Sequence, residues 1–324
     1  MTTSPGAEAA TDAPQVSILI VAYNSRATIR RCIEAVALGA QRIPVEILLV
    51  DNGEDGTGEL VAQTFPHVRV IAGQGNIGFA RANNLLAPHA RAPYLLLLNP
   101  DFFMMEGAVD ALMDGARRYP DAGAWGGVSY DERGVPDTSN SIAIPTLRQL
   151  ASAAIGLSIA GRAVPDLSRD ERVDVLSGGF VMLSRTAWDR AEGFDGRFFL
   201  YCEEVDLFQR LRAMGYPLWR LADAKGEHMI AHGQGTSPRR LLYMTTGIME
   251  YVRKHWGFPG WLVGAGLIWI AAVERYLAGK LLGRRNTRLA KLGEAYRVIA
   301  RWPHLWVHGY DPKKGLLTRQ LPHL

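Results

Sequence analysis

From Val16 onward, short apolar runs alternate with segments of helical periodicity, and this alternation constrains the possible folds more than any other feature. The apolar runs are "VSILIVA", "VEILLVD", "VRVIA" and "YLLLLN". This pattern is typical of βαβ units and predicts an α/β fold with a mainly parallel sheet. Ser25 precedes the first helical segment, so we expect it to cap that helix.

Polar residues follow these runs at the predicted strand ends, where Asn24, Asp51, Asn99 and Asp101 fall. In open α/β sheets, ligands bind outside the carboxyl ends of the strands. An unpaired charge such as Asp101 is costly to bury. We therefore expect either a hard divalent cation, which prefers carboxylate and phosphate oxygens, or an exposed Asp that starts a turn.

A second acidic group lies in "EEVD", at the start of a helix predicted to run from near Glu203 to just before Gly215. One of these carboxylates is a candidate general base, with its pKa raised by its neighbours. The alternative is a helix whose first turn is negatively charged. Upstream, Gly178 and Gly179 interrupt a strand-like segment and indicate a bulge or a close backbone approach.

Two further motifs leave alternatives open. The segment "GQGNIG", residues 73–78, matches GxGxxG after a strand and allows a dinucleotide-dependent oxidoreductase. It follows the third strand, however, and the next helix begins with the polar "FARANN". His232 and His228 are alternative metal ligands, or else surface histidines.

The charge of +4 is unevenly distributed, because residues 275–324 contain 11 Lys and Arg against 2 Asp and Glu. Tryptophans interleave with these cations, which suits a segment in lipid headgroups rather than on nucleic acid. The apolar run "GWLVGAGLIWIAAV" is shorter than the about 20 residues of a membrane span. A solvated charged face, or a helix packed on its own domain, is the alternative.

The two cysteines, Cys32 and Cys202, form neither a CxxC pair nor a disulfide framework, which predicts a reducing, cytoplasmic compartment. The start of the chain lacks a basic region followed by an apolar one, so residues 1–14 are expected to be a disordered lead.

Seven motifs resemble, in order, those of the family 2 glycosyltransferases, especially the rhamnosyltransferase-like branch. They are "VSILIVAYNS", "VDNG", "GNIGFARANN", "LLLLNPD", "LSGGFVMLSR", "GFDGRFFLYCEEVDLFQRLRAMGY" and "HGQGTS". The resemblance implies a GT-A fold, an inverting mechanism, a nucleotide-diphosphate sugar donor (dTDP or UDP), and Mg²⁺ or Mn²⁺.

The resemblance also implies roles for individual residues. Asp51 would accept a hydrogen bond from N3–H of the base, Asp101 would bind the metal, and Glu204 would be the catalytic base. The family usually has Asp where Glu204 stands, and one added methylene moves the carboxylate by about 1.5 Å, which matters in a positioned site. The predicted donor site is Ala22, Tyr23, Asn24, Asp51, Asn76, Gly78, Arg81 and Asn99; the acceptor and sugar region is Gly178, Gly179, Glu203 and Asp206; the metal ligands are Asp101 and His232.

The sequence thus predicts a glycosyltransferase domain over residues 15–244 and a basic amphipathic helical region over residues 245–324. The expected reaction transfers rhamnose from dTDP-rhamnose to a glycan or lipid-linked acceptor in cell-surface polysaccharide synthesis. The expected location is the inner face of the cytoplasmic membrane, with the protein held peripherally by anionic lipid. An oxidoreductase, or a non-catalytic membrane-associated binding protein with this fold, remains the alternative.

Overall fold

The computed structural model describes residues 13–136, 144–156, 166–229, 237–284 and 286–310. Its strands are β1 (Val16–Ala22), β2 (Val45–Asp51), β3 (Val68–Ile71), β4 (Tyr94–Leu98), β5 (Phe102–Met104), β6 (Ala124–Tyr130), β7 (Glu171–Val173), β8 (Phe180–Ser184) and β9 (Leu218–His228). Its helices are α1 (Ile29–Gly39), α2 (Thr57–Thr64), α3 (Phe79–Leu86), α4 (Ala108–Arg118), α5 (Leu147–Ala154), α6 (Arg185–Arg190), α7 (Glu203–Ala213), α8 (Pro238–His255), α9 (Gly257–Leu282) and α10 (Thr287–Arg301).

The described strands form one mixed sheet in the order β3-β2-β1-β4-β8-β6-β9-β5, and β7 pairs with β9. Strands β3, β2, β1 and β4 are parallel, whereas β8 runs antiparallel to both β4 and β6. The predicted α/β fold is confirmed, and the parallel part of its mixed sheet is formed by β3, β2, β1 and β4. Since β1 and β4 are neighbours, the polar residues after them meet at one edge of the sheet.

Helices cover both faces of the sheet, because successive side chains of a strand point to opposite faces. Leu95 and Leu97 of β4 belong to one apolar cluster, and Leu96 and Leu98 belong to the other. Helices α1, α2 and α4 pack on the second cluster, whereas α3, α7, α8 and α10 pack on the first. This arrangement explains why the strands read as continuous apolar runs.

Two local predictions are wrong. Ser25 does not cap α1: the helix begins only at Ile29, and the Ser25 hydroxyl accepts a hydrogen bond from the Tyr23 amide at 3.0 Å. The double glycine does not lie inside a strand, because Gly178 and Gly179 form a turn that ends where β8 begins. In both cases the chain turns at the carboxyl edge of the sheet before the regular element starts.

The C-terminal helices form a layer of their own against α7 and the sheet. The predicted boundary between residues 244 and 245 falls inside α8, which is continuous from Pro238 to His255. Trp306, after α10, is 1% exposed and belongs to the same apolar cluster as Leu19 of β1. The C-terminal region therefore shares its core with the sheet.

Helix α9 differs from the sequence prediction, which expected an apolar segment too short to span a membrane. It has 26 residues, and Pro259 falls in its first turn, where the missing N–H leaves no helical bond unmade. In the described part of the chain, it is the one helix with the length and composition of a membrane span, and 17% of its most apolar window is buried.

Candidate active site

A cavity of about 530 Å³ opens at the carboxyl ends of β1 and β4. Its described lining is Val21, Tyr23, Asn24, Ser25, Thr28, Asn52, Asn76, Gly78, Phe79, Asn99, Pro100, Asp101, Phe199, Leu200, Tyr201, Ser237, Arg239, Arg240 and Tyr243. Tyr23, Asn24, Asn76, Gly78, Asn99 and Asp101 were predicted from the sequence, and the structure brings them together here. Asn24 has φ of +50°, a left-handed conformation that is uncommon outside glycine and concentrates at functional sites.

Asn99 and Asp101 are placed by the strand that precedes them and by the double glycine. The Asn99 amide donates to the Gly179 carbonyl at 2.9 Å. A Cβ at Gly179 would lie 2.7 Å from Asn99 Nδ2, so a side chain there would displace Asn99. The close backbone approach predicted for this glycine pair is therefore present.

Asp101 lies beside His228, the last residue of β9. Its Oδ1 is 3.4 Å from His228 Nε2, and its side chain is 40% exposed. This pairing arises because β5 and β9 are antiparallel with Phe102 opposite His228. His232, the other candidate ligand, lies outside the described residues.

Asp51 does not line the cavity. Its carboxylate accepts hydrogen bonds from the backbone amides of Gly53 at 2.8 Å and Gly58 at 2.7 Å. These bonds fix the turn after β2, which places Asn52 in the cavity wall. The predicted contact of Asp51 with a nucleobase stays a prediction.

Two other predicted donor residues also point elsewhere. Ala22 is fully buried in β1. The Arg81 guanidinium donates to the Gly196 carbonyl at 2.8 Å, on the outer side of α3. The cavity wall described here includes neither residue, and their donor contacts remain predictions.

Glu203 and Glu204 begin α7 and are both buried, with 3% and 6% exposed. In each carboxylate, the Oε2 atom accepts no hydrogen bond from any described group. Burial raises the pKa of Glu204 to about 7. Burial and then the neighbouring Glu204 charge raise the pKa of Glu203 well above its ordinary value. Buried carboxyls of this kind are candidate proton acceptors near neutral pH.

Glu204 lies just behind the cavity wall. Its Cβ is 3.8 Å from the position that a Cβ would occupy on Gly178, beside the ring of Phe79. Phe79 itself lines the cavity. Glu204 and the wall residue Phe79 therefore both lie next to Gly178, and Asn99 lies next to Gly179.

Asp206 is in a different environment and does not face the cavity. It is fully buried, with contacts to Arg210 at 2.9 Å, Lys254 at 2.6 Å and His255 at 2.8 Å. Burial acts to raise its pKa, but the hydrogen bonds from His255 and Lys254 hold that pKa below its ordinary value. The sequence placed Asp206 with the acceptor region, whereas the structure places it in an ion-pair cluster between α7 and α8.

The sequence analysis missed the cavity residues contributed by the helix start of α8 and by the loop before α7. Arg239 donates to the Tyr23 hydroxyl at 3.4 Å, and Arg240 hydrogen-bonds Tyr201. In the sequence, these two arginines stand directly after "HGQGTSP", and that position could have indicated them. Two cations at the rim would attract an anionic ligand.

The residues present fit a divalent cation that completes its shell with ligand oxygens. Asp101 offers carboxylate oxygen, and His228 offers imidazole nitrogen, a donor set that suits Mn²⁺. Within the described ranges, no group of three or more His, Cys, Asp or Glu side chains converges. An ion here would depend on phosphate oxygens and water for its remaining ligands.

The fold and the strand-end cavity define the class of GT-A glycosyltransferases. A mannosyltransferase of Pyrobaculum calidifontis in complex with GDP-Man and Mn²⁺ aligns with a TM-score of 0.56 at 17% identity, over 90% of this chain and 88% of that chain. GalNAc-T7 with UDP, GalNAc and Mn²⁺ also aligns with a TM-score of 0.56, at 13% identity, over 91% of this chain and 57% of that chain.

The chain belongs to glycosyl transferase family 2, whose model matches residues 17–190. It is 32% identical over 247 residues to an N-acetylglucosaminyl-diphospho-decaprenol L-rhamnosyltransferase of Mycobacterium tuberculosis, covering 68% of this chain and 78% of that protein. It is 25% identical over 211 residues to the rhamnosyltransferase WbbL of Escherichia coli, covering 63% of this chain and 79% of that protein. The predicted family, its rhamnosyltransferase-like relatives and the GT-A fold are confirmed.

The oxidoreductase alternative fails on the same evidence. The family assignment makes the chain a glycosyltransferase, which also removes the non-catalytic alternative.

Proposed function

We propose that this enzyme transfers rhamnose, with inversion, from dTDP-rhamnose to a lipid-linked diphospho-sugar acceptor in cell-surface polysaccharide synthesis. The observation that supports it most is the pairing of an open strand-end cavity containing Asp101 with the buried Glu204 behind its wall. Similarity to a relative that is named as a decaprenol-linked L-rhamnosyltransferase supports the choice of this sugar and acceptor.

In this reaction the acceptor hydroxyl oxygen bonds to the anomeric carbon while the bond from that carbon to the diphosphate breaks. Glu204 accepts the proton from the acceptor hydroxyl, and attack from the face opposite the diphosphate inverts the centre. Arg239 and Arg240 lie at the cavity rim, where they would stabilise charge on the departing diphosphate. Asn99 and Tyr23 orient the nucleotide.

Asp101 and His228 would hold a Mg²⁺ or Mn²⁺ ion. When bound, such an ion supplies Lewis-acid stabilisation of the leaving diphosphate. We favour His228 over His232 because it already lies 3.4 Å from Asp101.

We infer that α9 rests on the inner face of the cytoplasmic membrane, as a peripheral attachment. Residues 257–273 contain no charged side chain, yet much of the helix surface is exposed, including Phe258 at 73% and Leu281 at 74%. Large exposed apolar surfaces mark membrane or protein contacts. Exposed cations flank this surface at Lys280, Arg284 and Lys291, which suits anionic headgroups.

The proposed reaction is tested with the full chain, dTDP-L-rhamnose, Mn²⁺ and a short-chain polyprenyl-diphospho-N-acetylglucosamine. We expect a product heavier by one deoxyhexose, with NMR showing the anomeric configuration opposite to that of the donor. UDP- and GDP-sugars serve as competing donors. Transfer of a different sugar would overturn rhamnose, retention of configuration would overturn the mechanism, and a requirement for a water-soluble glycan would overturn the lipid-linked acceptor.

A further inference from the structure

The loop that precedes the catalytic helix, residues 199–202, is held in an unfavourable backbone conformation. Tyr201 and Cys202 have φ of +69° and +68°. A residue other than glycine in the left-handed conformation is strained and persists only when its surroundings enforce it. Because Glu203 and Glu204 follow directly, this loop sets where their carboxylates point. Phe199, Leu200 and Tyr201 also line the cavity.

Three successive carbonyls of this loop are fixed by three separate parts of the chain. The Phe199 carbonyl accepts from the Phe79 amide at 2.8 Å, at the start of α3. The Tyr201 carbonyl packs closely on Gly247 of α8, where a side chain would collide with it. The Leu200 carbonyl accepts a hydrogen bond from the hydroxyl of Tyr310.

Tyr310 ends a segment, residues 302–310, that we call the C-terminal strap. Trp261 of α9 donates to the Val307 carbonyl at 2.7 Å, and Arg253 of α8 donates to the His308 carbonyl at 2.6 Å. The buried Glu250 carboxylate accepts from the Tyr310 amide. These bonds tie the strap to two helices before its last residue reaches the loop.

The Tyr310 ring and hydroxyl both contact the loop's surroundings. Its ring centroid lies 5.8 Å from that of Phe199 and 6.4 Å from that of Tyr243, and both of these residues line the cavity. The Tyr243 carbonyl lies 3.1 Å from the same hydroxyl. Burial, and then the neighbouring Glu203, raise the pKa of Tyr310, so its hydroxyl stays protonated and able to donate.

We propose that Tyr310 is a positioning residue for the transfer reaction: through the Leu200 carbonyl, the C-terminal strap holds the loop that aims Glu204. The strap lies outside the matched family region, which ends at residue 190. This inference rests on the proposed role of Glu204 as the base. It gives the C-terminal strap a role in positioning the proposed base.

The test compares Tyr310→Phe, which keeps the ring and removes the hydroxyl, with Tyr296→Phe as a matched control. Tyr296 lies on α10 with its ring beside Arg275. In Tyr310→Phe we expect kcat to fall about tenfold or more, since small misplacements in a positioned site cost up to about 10²-fold. The donor KM and dTDP affinity should stay within about twofold, because the nucleotide contacts lie elsewhere.

Hydrogen exchange at residues 199–204, measured without substrate, supplies a readout independent of turnover. Exchange there should rise at least about fivefold in Tyr310→Phe and stay unchanged in Tyr296→Phe. Tyr310→Leu, which also removes the ring, should match or exceed both effects. Unchanged exchange, or turnover within about twofold of wild type, overturns the positioning role.

An equal loss of turnover in Tyr296→Phe also overturns it. If the wild-type protein transfers no sugar from any donor, the proposed function fails instead, and the exchange measurement alone decides whether the strap holds the loop.

Discussion

Glu203 and Glu204 are adjacent, buried and only partly hydrogen-bonded. Burying a carboxylate without partners is costly, and proteins usually avoid it or keep the group protonated. Such a site is expected where a group must take up a proton near neutral pH.

Replacing Glu204 by Gln removes the proton acceptor and keeps the side-chain shape. We expect turnover to fall by roughly 10² to 10⁴, the range of general-base catalysis, while dTDP affinity is unchanged. Steady-state kinetics and calorimetric titration check both parts. Near-normal turnover, or a comparable loss in Glu203→Gln instead, would place the base elsewhere.

The raised pKa of Glu204 predicts opposite pH trends for activity and stability. Turnover requires the ionised carboxylate, so it should rise with pH with a midpoint near 7. Between pH 4.5, which equals the ordinary pKa, and about pH 7, the folded state keeps Glu204 protonated. The unfolded state releases this proton, so the free energy of unfolding should fall as pH rises through that window, by about 3 kcal/mol.

Urea denaturation of the ligand-free protein at pH 5 and pH 8 tests this trend. In Glu204→Gln the fall between the two values should be smaller by about 3 kcal/mol, since the titrating group is gone, although Glu203 retains its own part. The same fall in both proteins would show that Glu204 does not titrate in this range.

Asp101→Asn should remove the metal dependence of donor binding, because the amide is a weaker ligand for a hard cation. We expect dTDP-sugar affinity with Mn²⁺ to drop at least about tenfold, to the value that wild type shows with chelator. Asp121→Asn, at an exposed position after α4, is the matched control. Equal affinities of Asp101→Asn and wild type under both conditions would contradict the metal role.

The first-turn carboxylates of α7 lie in different surroundings. The Glu204 Cβ lies beside Gly178, whereas the Asp206 carboxylate pairs with Lys254 and His255 of α8. Lys254 also contacts Asp195 at 2.7 Å, which extends the ion-pair cluster to the loop between α6 and α7. The ion pairs therefore join α7 to the C-terminal helices.

Asp206→Asn should act on stability and leave the chemistry largely intact. Removing one partner of a buried ion-pair cluster leaves cations uncompensated, so we expect a loss of roughly 3 kcal/mol in the free energy of unfolding. Asp189→Asn, which breaks an exposed pair with Arg185 on α6, should cost less than about 0.5 kcal/mol. Lost turnover at unchanged stability would give Asp206 a direct catalytic role.

At the scale of the whole molecule, helices α8, α9 and α10 have an inner and an outer side. Their inner side belongs to the apolar core that includes the sheet, and the exposed apolar surface of α9 lies on the outer side. A helix that is apolar all round is normally buried in protein or lipid. Only 17% of the most apolar window of α9 is buried. Most of this helix surface is therefore available to contact a membrane or another protein.

The double variant Phe258→Glu, Leu281→Glu should reduce binding to anionic vesicles at least about tenfold, since it puts charge on the most exposed apolar positions. Leu38→Glu on α1, at another exposed apolar position, is the control. Wild-type binding should require anionic lipid and weaken with salt, because exposed charges are screened over about 8 Å at physiological ionic strength. Attachment that resists salt and alkaline wash would indicate insertion, and no vesicle binding would refute membrane contact.

The sequence by itself determined the α/β class, the family and six of the 19 described residues of the cavity wall. The apolar runs indicate the strands, and the polar residues Asn24, Asn99 and Asp101 that follow them indicate where the strands end. Parallel strands bring such ends to one edge by geometry alone, so local patterns sufficed. The glycine pair was also readable, although its exact place relative to β8 was not.

Tertiary structure alone decided which polar groups line the cavity and where the C-terminal region packs. Glu204 and Asp206 are two residues apart, yet packing gives one a raised and the other a lowered pKa. His228 reaches Asp101 through strand pairing, and Tyr310 reaches Leu200 across 110 positions of sequence. Contacts between distant segments leave no periodic trace in one sequence, because they depend on how whole elements pack.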